Sequence, residues 1–372
     1  MDQLSFLEDA PTAQHVNWAA TRQAGLQRLE DFLPRAGRTY ARTRNFDLGP
    51  MDRSNISCLS PWLRHRLVLE QEVISATLAR HSLPAAEKFI QEVFWRAYFK
   101  GWLEQHPGIW SSYRSELQRM LDLLPSNSQL STRYQSAVEA RTGIACFDAW
   151  ARELVGTGYL HNHCRMWFAS IWIFTLKLPW QLGADFFYRH LLDGDAASNT
   201  LSWRWVGGLH TKGKTYLARP SNVSRFTNGR FDPTGQLAAA APPLADDGPA
   251  AAAALRSTDR LSQEIPYGLL ITEEDCHPES LDLNINPVGV IGLTATSQRS
   301  ALPVGEGAAT FACCAVEDAV ARAEASFEID SFETSAPEAD DWIAPLIEFA
   351  AASNIKKIVT SYAPVGPAAD RL

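Results

Sequence analysis

The stretch "LLDGDAASNTLSWRWVGG", residues 191–208, gathers side chains that seldom occur together in one short segment. It places Asp193 and Asp195 in a D-G-D turn, then adds Asn199 and two tryptophans one residue apart. Such turns are common at protein surfaces, but aspartate carboxylates also accept hydrogen bonds from ribose hydroxyls or ring N–H groups. Tryptophans most often form core, although some stack on flat ligands. The stretch alone leaves both interpretations open.

The rest of the chain has the composition of a globular protein with two domains. Its 372 residues are 46% hydrophobic, and six of its twelve tryptophans fall between Trp150 and Trp205, as in a large aromatic core. The six cysteines include no C-x-x-C pair, so spacing supports no zinc or iron–sulfur site. Because no signal peptide and no long apolar segment is present, we expect a cytoplasmic protein without membrane association.

Charge and composition divide the chain. Residues 1–235 carry 27 Lys and Arg against 21 Asp and Glu, a net charge of +6, whereas residues 236–372 carry −14. The basic excess supports a polyanionic partner only modestly, and a mixed solvated surface stays open. The Ala/Pro/Gly-rich segment 235–257 is typical of a linker. We therefore expect a first domain over 1–234 and a second over 258–372.

The first domain has apolar residues at helical spacing. They predict helices over Trp62–Ser82, Ala85–Pro107, Phe147–Gly158 and Asn162–Leu178, and the last is apolar on nearly all sides. Strand patterns are nearly absent there. The expected fold class is therefore mainly α.

The second domain alternates short apolar runs with helical stretches, which predicts a small parallel sheet. The expected strands are Tyr267–Thr272, Pro287–Leu293, Thr310–Val316 and Lys356–Tyr362, with helices near 316–325 and 342–352. No glycine-rich phosphate-binding motif occurs there. Because the chain ends just after the last strand, we expect this α/β segment to be incomplete or degenerate.

Three polar positions of the first domain, Ser57, Ser60 and Arg96, are candidates for ligand contacts. Ser57 and Ser60 precede a predicted helix, where serine is usually an N-cap but where free N–H groups also bind phosphate. Arg96 stands in the aromatic run "FWRAYFK" and is costly to bury without an anionic partner. Each signal is weak by itself.

Together, these segments resemble the photolyase/cryptochrome family, specifically its helical FAD-binding domain. The similar segments are "ISCLSPWL", "EVFWRAYFKGWLEQHP", "RTGIACFDAWARELVGTGYLHNHCRMWFAS" and "LPWQLGADFFYRHLLDGDAASNTLSWRWVGG". The string T-G-Y-L-H-N-x-x-R-M followed by D-G-D-x-A-S-N-x-x-x-W-x-W is highly specific. The resemblance implies an all-helical FAD-binding domain followed by a small α/β segment.

The resemblance also implies which residues surround FAD. Asp193 and Asp195 resemble the pair that meets the isoalloxazine edge and the ribose, and Asn199 occupies the position that faces flavin N5. A neutral amide there suits a reduced anionic flavin, since it adds no carboxylate beside a negative ring. Ile56 and Cys58 stand where the family usually has Thr and Arg. The remaining positions implied to bind FAD are Tyr40, Ser57, Leu59, Ser60, Arg96, Asn162 and Arg165.

A cyclobutane pyrimidine dimer in DNA is the implied substrate. Base flipping would bring such a lesion to the pocket, since its weakened stacking lowers the cost. His163 departs from the family, which usually has Arg there, and the absence of a second histidine at position 162 argues against the (6-4) lesion class. The positions implied to hold the dimer are Glu92, Trp95, Asn162, Met166 and Trp205.

Electron transfer to the flavin is implied to run from Trp180 to Trp203, the middle and proximal members of the family's tryptophan chain. The distal tryptophan is missing from its usual place. Tyr134, Trp110 or Trp150 remain as substitutes.

Domain order departs from the family, which places an α/β antenna domain before the helical one. Residues 1–40 leave no room for it, and "PLIEFAAASNIKKIVTSYAPVGP", residues 345–367, resembles a helix–strand piece of that domain. We therefore expect a permuted or partial antenna-like domain over 258–372, with the antenna chromophore left open.

Two functions follow from these expectations. The first is blue-light-driven repair of cyclobutane pyrimidine dimers by electron transfer from reduced FAD. The second is a cryptochrome-like photoreceptor, whose acidic C-terminal part reports to a protein partner.

Overall fold

The computed structural model describes residues 18–245, 251–259, 265–281, 283, 285–329 and 341–372. Residues 18–245 form a helical unit in which no strand occurs. Its α-helices are α1 (Arg22–Phe32), α2 (Arg38–Thr43), α3 (Ser60–Arg64), α4 (Glu70–Arg80), α5 (Leu83–Gln105), α6 (Gly108–Leu123), α7 (Ser128–Val138), α8 (Ala145–Thr157), α9 (Asn162–Ser170), α10 (Trp180–His190), α11 (Ala196–Val206) and α12 (Pro220–Phe226). The helices predicted over 85–107 and 147–158 are confirmed as α5 and α8.

An aromatic core holds this helical unit together, as the tryptophan cluster predicts. Trp172 is fully buried, and its ring centroid lies 6.1 Å from that of Trp203 on α11. The helix predicted over 162–178 is regular only as far as Ser170, and it continues through one π-helical turn, Ile171–Thr175. Every side chain from Trp167 to Phe174 is buried, which explains why the sequence is apolar on nearly all sides there.

The helix predicted over 62–82 is two helices, α3 and α4. The break lies at Arg66, whose φ of 54° places its backbone in the left-handed region, where a right-handed helix cannot continue. The neighbouring His65 is fully buried, and its carbonyl accepts a hydrogen bond from the amide of Cys276 at 2.8 Å. A tertiary contact with the second unit therefore overrides the helical pattern.

Beyond residue 265 the chain forms an α/β unit around a parallel sheet with the order β2-β1-β3. Gly268 is paired with Gly289 on one side and with Ile358 on the other. The strands are β1 (Gly268–Thr272), β2 (Gly289–Leu293) and β3 (Ile358–Thr360), and the helices are α13 (Glu306–Phe327), α14 (Ile343–Ala352) and α15 (Pro367–Arg371). Phe349 of α14 packs so closely that a Cβ at Gly268 would lie 2.4 Å from its ring. The predicted fold class, a helical unit followed by a small α/β unit, is confirmed.

The strand predicted over Thr310–Val316 is wrong, because this run lies inside α13. Phe311, Ala315 and Ala319 follow at spacings of four residues and are all buried, so the run is one face of an amphipathic helix. A short apolar run cannot be distinguished from a buried helix by periodicity alone. The other three predicted strands are confirmed as β1, β2 and β3.

The two units are in direct contact. In the described parts of segment 235–257 the backbone is irregular, and the amide of Leu244 donates to the carbonyl of Gly207 at 3.0 Å. Phe311 of α13 lies 5.9 Å from the ring of Trp62, within a core cluster that residues of both units share.

Among the helices of the described ranges, none has the length and apolar character that a bilayer span needs.

Candidate functional site

The D-G-D turn connects α10 to α11, and Asp195 lies at its end, where α11 begins. One carboxylate oxygen of Asp195 caps α11 by accepting the amide of Ser198 at 2.7 Å. The other lies 3.0 Å from Nζ of Lys100 and 3.4 Å from the guanidinium of Arg96. Burial opposes the charged carboxylate, yet Lys100, Arg96 and Arg64 hold the pKa of Asp195 well below its usual range. Asp195 is therefore a buried anion within a cationic cluster.

Asp193 lies at the other end of the turn, and only one of its two carboxylate oxygens is hydrogen-bonded within the described residues. Its Oδ2 accepts a hydrogen bond from Arg165 of α9 at 3.0 Å. Its Oδ1 is buried and has no hydrogen-bond partner within the described ranges, and the same holds for Nε of Arg96. Buried polar atoms are rarely left unpaired in folded proteins, so these two atoms indicate a place for a polar ligand.

Asn199 and Trp203 follow the turn on α11. The amide nitrogen of Asn199 donates to the carbonyl of Ala184 at 2.8 Å, which fixes the orientation of the side chain. Trp203 packs onto α10 at Gly183, where a Cβ would lie only 2.4 Å from the indole ring. Glycine is therefore needed at position 183 for the indole to reach its place.

The four positions predicted at the phosphate side of a flavin lie on α2, in the loop before α3 and at the first residue of α3. Leu59 and Tyr40 are buried, and Ser57 and Ser60 are partly exposed. Cys58 is also buried, and its φ of 55° places the backbone in the left-handed region. Burial raises the pKa of the Cys58 thiol. The thiol is therefore neutral at physiological pH, where the family usually has the cation of an arginine.

An arginine fastens this loop to α1. Nε of Arg28 donates to the carbonyl of Ser57 at 2.7 Å.

Two guanidinium groups lie over the ring of Tyr159, that of Arg53 at 4.4 Å and that of Arg165 at 5.3 Å from its centroid. Because Arg165 also binds Asp193, the ring of Tyr159 contacts an arginine that is paired with the D-G-D turn.

The residues predicted to hold a DNA lesion lie on α5, α9 and α11. Trp95 is 52% exposed, Asn162 is exposed, and Met166 and Trp205 are partly buried. Glu92 is ion-paired with Arg44.

His163 stands where the family usually has arginine. Its ring stacks on Trp167 at 4.0 Å, and its Nδ1 is 2.9 Å from the carbonyl oxygen of Asn45. Burial lowers the pKa of His163, so it is neutral at physiological pH and does not replace the charge of an arginine.

The aromatic contacts of Trp180 separate the three candidates for a distal electron donor. Trp180 stacks on Tyr113 at 5.6 Å, and Tyr113 lies 5.5 Å from Trp110. Tyr134 instead contacts Trp172 at 6.2 Å, and Trp150 stacks on Trp167 at 5.5 Å. Within the described residues, Trp110 is thus the candidate that aromatic contacts link to Trp180, through Tyr113, which the sequence did not single out.

Lys100 and Arg64 are two further residues of the charged cluster that sequence reasoning missed. Lys100 is four residues after Arg96, so helical spacing alone would have placed both on one face of α5. Arg64 gave no such signal, because its partners are distant in sequence.

Known proteins match this chain over the region that holds the turn. A family model described as the FAD binding domain of DNA photolyase matches residues 89–247. The deoxyribodipyrimidine photo-lyase of Vibrio cholerae is 26% identical over 238 residues, which cover 62% of this chain and 48% of that protein. That of a Synechococcus species is 31% identical over 213 residues, which cover 55% and 42%. A solved class III photolyase from Agrobacterium tumefaciens aligns with a TM-score of 0.47 at 26% identity, over 61% of this chain and 48% of that one.

The matched region contains most of α5 together with α9, α10, α11 and the D-G-D turn between the last two. The chain spans about half the length of the curated relatives it matches. Over residues 89–247 the chain is therefore similar to the FAD binding domain of DNA photolyase, and it is similar to curated deoxyribodipyrimidine photo-lyases.

Proposed function

We propose that the chain binds FAD at the D-G-D turn and uses it for light-driven repair of cyclobutane pyrimidine dimers in DNA. The observation that carries the proposal is the pair of unpartnered buried atoms, Oδ1 of Asp193 and Nε of Arg96, beside the anion of Asp195. A flavin ring offers both N–H donors and carbonyl acceptors, so the residues present fit this group.

Each residue around the turn has a proposed task. The unpartnered Oδ1 of Asp193 and the carboxylate of Asp195 accept hydrogen bonds from the cofactor. Asn199 offers a neutral amide whose orientation Ala184 fixes. Arg96 and Arg165 supply positive charge next to it. The remaining proposed contacts with FAD are made by Tyr40, Ser57, Leu59, Ser60 and Asn162. When bound, FAD supplies light absorption and the transferable electron, while the protein supplies orientation and electrostatics.

The proposed lesion pocket lies beside α5. Exposed Trp95 is suited to stack on a flipped pyrimidine, since a half-exposed indole gains by covering an apolar surface. Glu92, Asn162, Met166 and Trp205 are the proposed neighbours of the lesion. Trp203 and Trp180 are the proposed route by which the flavin is reduced, and the net charge of +6 over residues 1–235 favours approach to DNA.

The test uses purified full-length protein loaded with FAD. The expected result is a bound-flavin absorption spectrum and loss of dimers from an irradiated oligonucleotide under blue light, with none lost in the dark. Protein that binds flavin, accepts electrons under light and leaves the dimers intact would contradict repair.

A cryptochrome-like photoreceptor is the second candidate. It is favoured by the direct packing of the α/β unit on the helical unit, because a change near the flavin could reach that acidic unit and a protein partner. Limited proteolysis in light and dark tests it. A light-dependent cleavage pattern in residues 258–372, without repair, would support signalling, and identical patterns would count against it.

A further inference from the structure

Glu274 of the α/β unit reaches into the helical unit beside the D-G-D turn. It follows β1 by two residues and is buried. Its Oε1 accepts a hydrogen bond from Arg64 at 2.5 Å, and its Oε2 lies 3.4 Å from Nζ of Lys100. One carboxylate thus binds two cations that belong to different helices of the other unit.

Both cations continue to the turn. Nε of Arg64 donates to the carbonyl of Gly194 at 2.7 Å, and Lys100 lies 3.0 Å from Asp195. Arg64 is almost fully buried, and its remaining contact is with the backbone carbonyl of Glu273 at 3.1 Å. Glu274 is therefore connected to Gly194 through Arg64 and to Asp195 through Lys100.

Charge balance explains why this carboxylate matters. Arg64, Arg96 and Lys100 surround Asp195. Within the described residues, loss of Glu274 would leave Arg64 with backbone carbonyl partners only and Lys100 paired with Asp195 alone. A buried cation that loses its partner is strongly destabilising, and the remaining charges move to compensate. Burial raises the pKa of Glu274, but Arg64 and Lys100 outweigh that effect and leave it below the usual range. The carboxylate is therefore ionised at physiological pH.

We propose that Glu274 is a positioning residue of the flavin site, so that the α/β unit completes the site that the helical unit begins. The proposal rests on the proposed FAD site. Glu274 holds Lys100 and Arg64 in place, and they in turn fix the carboxylate of Asp195 and the backbone of Gly194 for the cofactor. Its negative charge also offsets part of the positive charge beside the ring.

The test compares Glu274→Gln with a matched neighbour, Glu273→Gln, in the full-length protein. Glu273 is equally buried, but its carboxylate accepts hydrogen bonds from Ala295 and Thr296 inside the α/β unit. FAD is titrated into each apoprotein to obtain Kd, and the midpoint potential of the loaded protein is measured. We expect E274Q to weaken FAD binding about tenfold and E273Q to stay within about twofold.

The midpoint potential separates positioning from mere stability. Loss of one negative charge favours the reduced, anionic flavin, so both variants raise the potential. E274Q raises it more than E273Q does, because the Glu274 carboxylate pairs directly with Arg64 and Lys100. Equal effects of the two variants on Kd and potential would overturn the proposal. If E274Q does not fold, E274D and E273D replace the pair, because aspartate keeps the charge but is too short to reach both cations. An E274D protein that binds FAD as tightly as the wild type would equally overturn it.

Failure of this inference is distinguishable from failure of the proposed function. Wild-type protein that binds no FAD rejects both. Wild-type protein that binds FAD, together with E274Q behaving like E273Q, rejects only the role of Glu274.

Discussion

The two sides of α5 are built in opposite ways. Arg96 and Lys100, four residues apart, point toward the D-G-D turn and pair with the buried carboxylate of Asp195. Trp95 and Tyr98 lie on the outer side, half-exposed, with ring centroids 5.5 Å apart. The inner side is stabilised by ion pairs between buried side chains, whereas the outer side exposes aromatic rings to solvent.

This difference teaches where each kind of substitution acts. A buried ion is expensive to leave alone, so changes on the inner side should alter both stability and the proposed cofactor site. An exposed indole contributes little to folding, so changes on the outer side should spare the fold and affect only what docks there.

The strongest way to break the inner side is Asp195→Asn. The amide can still cap α11, but it leaves Lys100 and Arg96 without their shared anion. We expect FAD affinity to fall by about 100-fold, measured by titration of the apoprotein. Asp148→Asn is the control, because Asp148 is also buried but accepts hydrogen bonds from Thr142 and Gly143. An equal loss of affinity in both variants would show that FAD does not depend on Asp195 itself.

The outer side is tested by Trp95→Ala. We expect affinity for dimer-containing DNA to fall about tenfold, as for loss of one stacked base, with FAD binding unchanged. Fluorescence anisotropy with a labelled oligonucleotide measures it. Phe94→Ala is the matched control, because Phe94 is adjacent on α5 and 56% exposed but holds no proposed lesion contact. The expectation fails if both variants lose affinity to the same extent.

Sequence reasoning reached part of this contrast. The cost of burying an arginine predicts that Arg96 has an anionic partner, and Asp195 is that partner. Helical spacing predicts α5, α8 and α9 because it is a local property. Exposure of Trp95 does not follow from helical spacing, since an indole in an apolar helix is most often core; only the family resemblance implied an accessible indole there.

Long-range pairing explains the other gaps. Arg64 and Glu274 are 210 positions apart, and no periodic pattern connects them. The break in the helix predicted over 62–82 has the same origin, because His65 and Arg66 turn to meet the α/β unit. Local spacing also cannot decide between strand and buried helix for seven apolar residues, which is why the strand predicted over 310–316 is wrong.

A third prediction concerns the aromatic contacts behind the turn. If electrons reach the flavin through Trp180, Tyr113→Phe should slow light-driven reduction of bound FAD about threefold, because the stacked ring next to Trp180 is no longer oxidisable. Tyr134→Phe is the control, since Tyr134 contacts Trp172 instead. Absorption changes under continuous blue light with an external reductant give the rates. Equal rates in Tyr113→Phe and wild type would exclude this tyrosine from the path.

The smallest expected effect is the pH dependence of the free energy of unfolding. It contrasts His190, which burial keeps neutral, with Asp195, which its cations keep ionised. Burial, and then Arg189, lower the pKa of His190 to about 4, so the folded protein keeps this ring neutral. Between pH 6.5 and 4 the unfolded chain therefore binds more protons at this position than the folded one, and the free energy of unfolding falls as pH is lowered through that window. The slope is up to about 1.4 kcal/mol per pH unit for one group. Urea unfolding at several pH values should give a shallower slope for His190→Gln, while the carboxylate of Asp195 stays ionised throughout because its cations hold it. An unchanged slope would mean that His190 titrates alike in both states, and that burial against Phe186 does not keep it neutral.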